Sequence, residues 1–281
     1  MNLRSRLALV GALVAGAAVA QEAPKLVLPQ PSPGATVKQT VGLTEITVAY
    51  SSPAVRGRKI WGEVVPFDEL WRAGANACTK VTLSTAASIG GKPVAAGSYC
   101  LFLLPSRTGW TFILNKDTSL WGSDGYKAEG DVLRVPAAAT TVAPRERLAF
   151  GILDFNDEGG TLALEWETLR VGVKFEVATR AAAMAAIRAL QTDDWRPYAR
   201  AAGYLLEAKT EPALAMELID RSIQLKEEWM NLWIKAQLLG AAGKPREATA
   251  VAQRAQALGK QSKNFYLADD VAKALAEWSK K

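Results

Sequence analysis

Between Tyr50 and Thr79 the chain reads YSSPAVRGRKIWGEVVPFDELWRAGANACT, in which the cations Arg56, Arg58, Lys59 and Arg72 are interleaved with the indoles of Trp61 and Trp71 and the amide of Asn76. A guanidinium is a planar fork of donors that matches a carboxylate or phosphate, and an indole beside it offers a flat apolar surface. Those side chains could gather around an anion such as a carboxylate, a phosphate or an acidic sugar. The commoner arrangement, and the one expected for most of these cations, is a solvated turn in which one arginine pairs with Asp68 or Glu69. Arg72, flanked by Trp71 and Gly74, is the strongest single candidate. Gly57, Gly62, Gly74, Pro53 and Pro66 fix several bends, and a segment so constrained is expensive to order unless it packs tightly or recognises something. Trp121, between Lys116-Asp117-Thr118-Ser119 and Gly122, is a loop indole and joins the ligand-binding candidates. Trp110 and Trp166, in alternating strands, read as core.

Catalytic alternatives are narrowed by what is missing. The 281 residues contain no histidine, which removes the Ser-His-Asp triad, the Cys-His dyad, His-ligated zinc and the imidazole base together. Acid/base work would fall to Asp117, Asp124 and Asp154, or nucleophilic work to Ser51 or Ser52 with Lys59, yet no motif joins these groups. No catalytic residue, metal ligand or cofactor is therefore assigned. A histidine-free hydrolase acting on an envelope or extracellular substrate stays as the competing reading to a binding module.

Compartment follows from the first twenty residues. Arg4 and Arg6, the apolar run Leu7 to Gly16, and Ala18-Val19-Ala20 ahead of Gln21 form a secretory leader, so residues 1–20 read as a signal peptide and the mature chain as periplasmic or extracellular. The run is too short for a bilayer span, so no stable membrane insertion is expected after cleavage. Loss of Arg4 and Arg6 lowers the formal charge from +6 to about +4, without a polybasic tract, and with export this argues against a nucleic-acid partner. Cys78 and Cys100 are the only cysteines, and an oxidising compartment favours a disulfide between them over two buried thiols.

The elements that must position these groups divide the chain into two. Residues 21–43, rich in proline and polar side chains, read as an extended lead-in. From 44 to 177 the period is two: Ile46, Val48, Tyr50; Trp110, Phe112, Leu114; Leu148, Phe150, Ile152; Leu162, Leu164, Trp166; and Val171, Val173, Phe175. Turn residues separate these rows, which predicts an antiparallel β-sandwich. From 178 to 281 the period becomes helical. Helices are predicted over 179–191, 197–209, 212–225, 228–242, 245–258 and 268–279, with Pro197, Pro212 and Pro245 at first-turn positions. Ala202, Ala215 and Ser222 recur 33 or 34 residues on as Ala236, Ala248 and Ala255, and Trp229 to Leu258 resembles a tetratricopeptide repeat. The fold class is thus α+β: a sandwich, then helical hairpins with two repeat-like units and a capping helix.

Several separated blocks also resemble the bacterial family known as domain of unknown function 2911. They are YSSPAVRGRKIWG at 50–62, WRAGAN at 71–76, Gly90-Gly91-Lys92 followed by Ala96-Gly97-Ser98-Tyr99, the strand Phe102 to Pro105, Trp110 to Asn115, and Trp121-Gly122. The resemblance covers about 36–177, and the helical tail is similar to an extension that many members carry. It implies an exported bacterial β-domain and no established activity or cofactor. One position departs: an acidic residue tends to follow the Asn of the GAN block, and here it is Ala77, so no carboxylate role carries over there. Taken together, the sequence predicts an exported module that binds a peptide, a protein or an envelope polymer.

Overall fold

A computed structural model describes residues 28–280, so the leader and its cleavage site lie outside the described residues. The described chain is mixed α+β, a nine-stranded antiparallel sheet followed by six helices. The strands are β1 (Gly34–Val41), β2 (Thr44–Ser51), β3 (Thr79–Leu83), β4 (Ala87–Ile89), β5 (Lys92–Val94), β6 (Gly97–Pro105), β7 (Trp110–Asn115), β8 (Asp131–Asn156) and β9 (Gly159–Val177). Their order is β1-β2-β3-β6-β7-β8-β9-β4-β5.

The sheet folds over on itself through β8. Residues 131–137 of that strand pair with β7, while 138–156 pair with β9. The two halves close over one core in which Ile46, Val48, Leu101 and Leu114 of the first half cluster with Phe150, Leu164, Val171 and Val173 of the second. Tyr50 and Phe150 meet edge to face across it with ring centroids 4.9 Å apart.

Two elements differ from the sequence reading. The lead-in contains a strand, β1, whose alternate residues are half-buried because it is the sheet edge. Its partner is β2, from Gly34 opposite Ser51 to Val41 opposite Thr44. The rows ending at Trp166 and beginning at Val171 are one strand, β9. Burial changes from even-numbered to odd-numbered positions between them, and Glu167, at φ 53°, marks the irregularity. A bulge of this kind re-aims every side chain beyond it.

The helices are α1 (Thr179–Arg188), α2 (Trp195–Glu207), α3 (Pro212–Leu225), α4 (Trp229–Ala241), α5 (Pro245–Gln261) and α6 (Ala268–Trp278). α2 starts two residues before the predicted Pro197, because the Asp194 carboxylate accepts the Arg196 N–H and caps the helix there. Pro197 is therefore its third residue, and like Pro212 and Pro245 it lies in the first turn. Antiparallel pairs α2/α3 and α4/α5 bury the small residues Ala202, Ala215, Ser222, Ala236, Ala248 and Ala255 almost completely, which lets the helix axes approach. None of the described helices is long and apolar enough to cross a membrane.

Candidate functional site: an arginine-lined pocket over stacked indoles

Residues 52–78 bridge the two halves of the sheet. The chain leaves β2 and runs beside β8, where Val55 N–H donates to Glu146 O and Leu148 N–H to Pro53 O. It then folds through a compact turn in which Val65 N–H donates to Ile60 O, and it returns to β6, where Trp71 and Leu103 exchange both backbone hydrogen bonds at 2.8 Å. Ala54 thus bridges to Arg147, and Trp71 to Leu103. Four non-glycine residues of the segment, Arg56, Asp68, Ala73 and Asn76, hold positive φ between 51° and 63°. Such backbone persists only where its surroundings over-determine it, and it concentrates where geometry serves function.

Four indoles make the foundation. Trp61 is edge-on to Trp71, Trp110 and Trp166, with centroids 5.2 to 5.9 Å away, and Trp71 stacks on Trp166 at 6.0 Å and 18°. Aromatic pairs in these geometries stabilise by about 0.5–1.5 kcal/mol each beyond their burial. The Trp71 Nε1–H donates to Gly74 O at 3.2 Å. The Nε1–H groups of Trp61 and Trp166 are buried without any acceptor among the described residues. A buried N–H left unpaired costs about 1–3 kcal/mol.

Above this foundation opens a pocket of about 250 Å³, lined among others by Arg56, Arg58, Arg72, Trp71 and Trp166. No side chain lining it is acidic, and none of its arginines pairs with a carboxylate among the described residues. The expected ion pair to Asp68 or Glu69 does not form. Arg58 instead donates from Nε to Val55 O at 3.0 Å and from Nη2 to Ala54 O at 2.6 Å, bracing the turn. Arg72 donates from Nη1 to Asn76 O at 3.3 Å, and its guanidinium lies against Gly122. Arg56 presents an exposed side chain with no partner among the described residues, while its backbone N–H donates to Glu146 Oε1 at 2.9 Å.

The other sequence candidates fall around the pocket rather than in it. Lys59 turns to Glu63 at 3.2 Å. Trp61 lies behind the lining, in the indole cluster. Asn76 ties the chain together, its amide donating to Ser32 O and Ser51 Oγ at 3.3 and 3.2 Å. Trp121 is 66 % exposed on a loop that reaches the site through Gly122. Cys78 and Cys100 are joined, with Cα atoms 5.6 Å apart, in a small core with Phe102, Ile113 and Leu120. The Cys78 N–H donates to Leu120 O, so the end of the bridging segment also holds the Trp121 loop.

That loop is braced from its other side by Asn115, whose amide donates to Lys127 O and Asp131 Oδ1 and accepts the Asp117 N–H. Burial, helped by the Asp131 carboxylate at 2.6 Å, pushes the Tyr126 hydroxyl up to about 12. The hydrogen bonds from Ser119 hold the Asp117 carboxyl below its ordinary value, so this acid shapes its own turn.

The groups named for catalysis are not assembled. Ser52 Oγ donates to Leu148 O while Lys59 pairs with Glu63, and Asp124 and Asp154 are exposed. Among the described residues no group of three or more Cys, Asp or Glu is placed to hold a metal ion. The residue that sequence reasoning missed is Trp166. Its alternation marked it as core, and it is 1 % exposed, but it also lines the pocket.

A family model described as "Protein of unknown function (DUF2911)" matches residues 32–175. Neither a curated protein nor a solved structure matches the chain.

Proposed function

The chain belongs to the family of proteins of unknown function DUF2911, and from that premise we propose that its β-domain is an exported recognition module that binds an anionic group on a peptide or envelope polymer. The observation that carries this reading is a pocket lined by three guanidinium groups without carboxylate partners, set on buried indoles. Unneutralised cations gathered at one concavity repel one another and raise the local potential, and an anion relieves both effects. Rigid strands and braced turns fix the site in advance, which reduces the ordering cost of binding. The leader-like residues 1–20 support export, and the small-residue helical hairpins support a tetratricopeptide-like extension beside the module.

An array of acidic, neutral and basic peptides and envelope polysaccharides, probed with the full chain, tests the proposal. Binding should concentrate on acidic members, weaken as salt is raised, and fall at least tenfold in Arg56→Ala and Arg72→Ala. Equal binding by the wild type and both variants would contradict it.

A further inference from the structure

We propose that the pocket takes a single carboxylate-bearing residue of a peptide, a chain end or an acidic side chain, with its anionic head on Arg56 and Arg72 and its apolar body on the indoles. This rests on the recognition reading above and names its ligand. Three features of the pocket select the class.

Size comes first. At about 250 Å³ the space lies below the range of roughly 300–1,000 Å³ that encloses a drug-sized ligand, so it holds one residue rather than a length of polymer.

Lining chemistry comes second. Pro53, Ala54, Val64 and the two indole rings supply apolar wall, while the cations supply one charged patch. Inorganic phosphate is polar on every side and would face that wall unpaired. The hydroxyls of a uronic acid would likewise lose their water wherever they meet that apolar wall. An amino-acid residue divides as the wall does, into one anionic head and one apolar body.

Donor supply is the third. Two N–H groups of Arg58 and one of Arg72 are already spent on backbone carbonyls. That leaves Arg56 and the remaining donors of Arg72 and Arg58 for a two-oxygen head, beside the indole of Trp166, a lining residue whose buried Nε1–H has no acceptor among the described residues. The backbone N–H groups of Gly74 and Ala75, also lining residues, make no hydrogen bond among the described residues, and successive free amides beside a left-handed residue such as Ala73 form a concavity suited to an anion.

The test is an NMR titration of the full chain labelled with 15N at its tryptophans, the Trp166 indole resonance being assigned with Trp166→Phe. The probes are N-acetylalanine, N-acetylalaninamide, glucuronate and inorganic phosphate. N-acetylalanine is expected to move the Trp166 indole resonance, with its amide at least tenfold weaker and Arg72→Lys, which keeps charge but loses the fork, weaker as well. Binding of glucuronate or phosphate in preference to N-acetylalanine overturns the peptide assignment and leaves anion recognition standing. Failure of every anion to bind overturns both. Arg56→Ala, at an exposed side chain that braces nothing, serves as the second variant should Arg72→Lys fail to fold.

Discussion

The guanidinium of Arg72 rests on the bare Cα of Gly122: a β-carbon there would stand 2.3 Å from Arg72 Nη1. This contact joins the pocket to the loop that carries Trp121, and it exists only because residue 122 has no side chain and holds φ at 75°. Gly122→Ala should push Arg72 out of place, weaken anion binding at least tenfold and destabilise the fold by about 1–3 kcal/mol through its strained backbone. Calorimetric titration and chemical unfolding of the same preparation check the two effects separately.

Cys78 and Cys100 close a loop with a sequence separation of 22, and the Cys78 N–H also holds Leu120. Replacing both by alanine should lower stability by about 3 kcal/mol, as loop-closure entropy for a loop of this size suggests. Amide exchange at residues 120–122 should accelerate more than exchange in α4 or α5. Equal acceleration in both regions would show that the bridge acts globally and does not secure the loop.

Asn115 is buried at 1 % exposure and satisfies Lys127 O, Asp131 Oδ1 and the Asp117 N–H. Asn115→Ala strands these partners, so a loss of about 2–4 kcal/mol is expected in chemical unfolding. Trp121 fluorescence should change with it, because the same network fixes that loop.

Glu165 is subject to opposing effects. Burial raises its pKa, but the hydrogen bonds and charges of Arg170 and Arg145 outweigh this, and the carboxyl ends below its ordinary value. A depressed folded-state pKa adds stability that is fully present above the unfolded-state value and is lost as pH falls through the folded-state value. Glu165→Gln should therefore be less stable than wild type by about 1 kcal/mol at pH 7. The gap should close as pH drops below the ordinary glutamate range. A gap that widens on acidification would contradict the pairing.

The strands were legible in the sequence wherever alternation was strict. Ile46, Val48, Phe112, Leu114, Leu148 and Phe150 are all buried as their period requires, because the period states directly which face meets the core. The bulge near Glu167 was not legible, since no residue type signals a glutamate forced to positive φ, and so β9 read as two strands. β1 was hidden by its edge position, where a half-exposed row gives only a weak apolar signal. The segment holding Arg56, Arg58, Trp71 and Arg72 stood out by composition alone. Which of its members face the pocket depends on contacts from β8, β9 and the Trp121 loop, and no local pattern carries those. Lys59 and Asn76 share the segment with the arginines, and only the tertiary contacts with Glu63, Ser32 and Ser51 show that both are occupied.

In the proposed function, the concavity between Arg56, Arg72 and Trp166 is where this protein meets an anion. The most direct measurement is a backbone and indole NMR titration of the full chain with an acidic peptide ending in a free carboxylate. Saturable shifts are expected at Gly74, Ala75 and the indoles of Trp71 and Trp166, and are expected to be lost in Arg72→Ala. Shifts confined to the helices α2 to α6, with the indoles of Trp71 and Trp166 unmoved, would contradict the proposal.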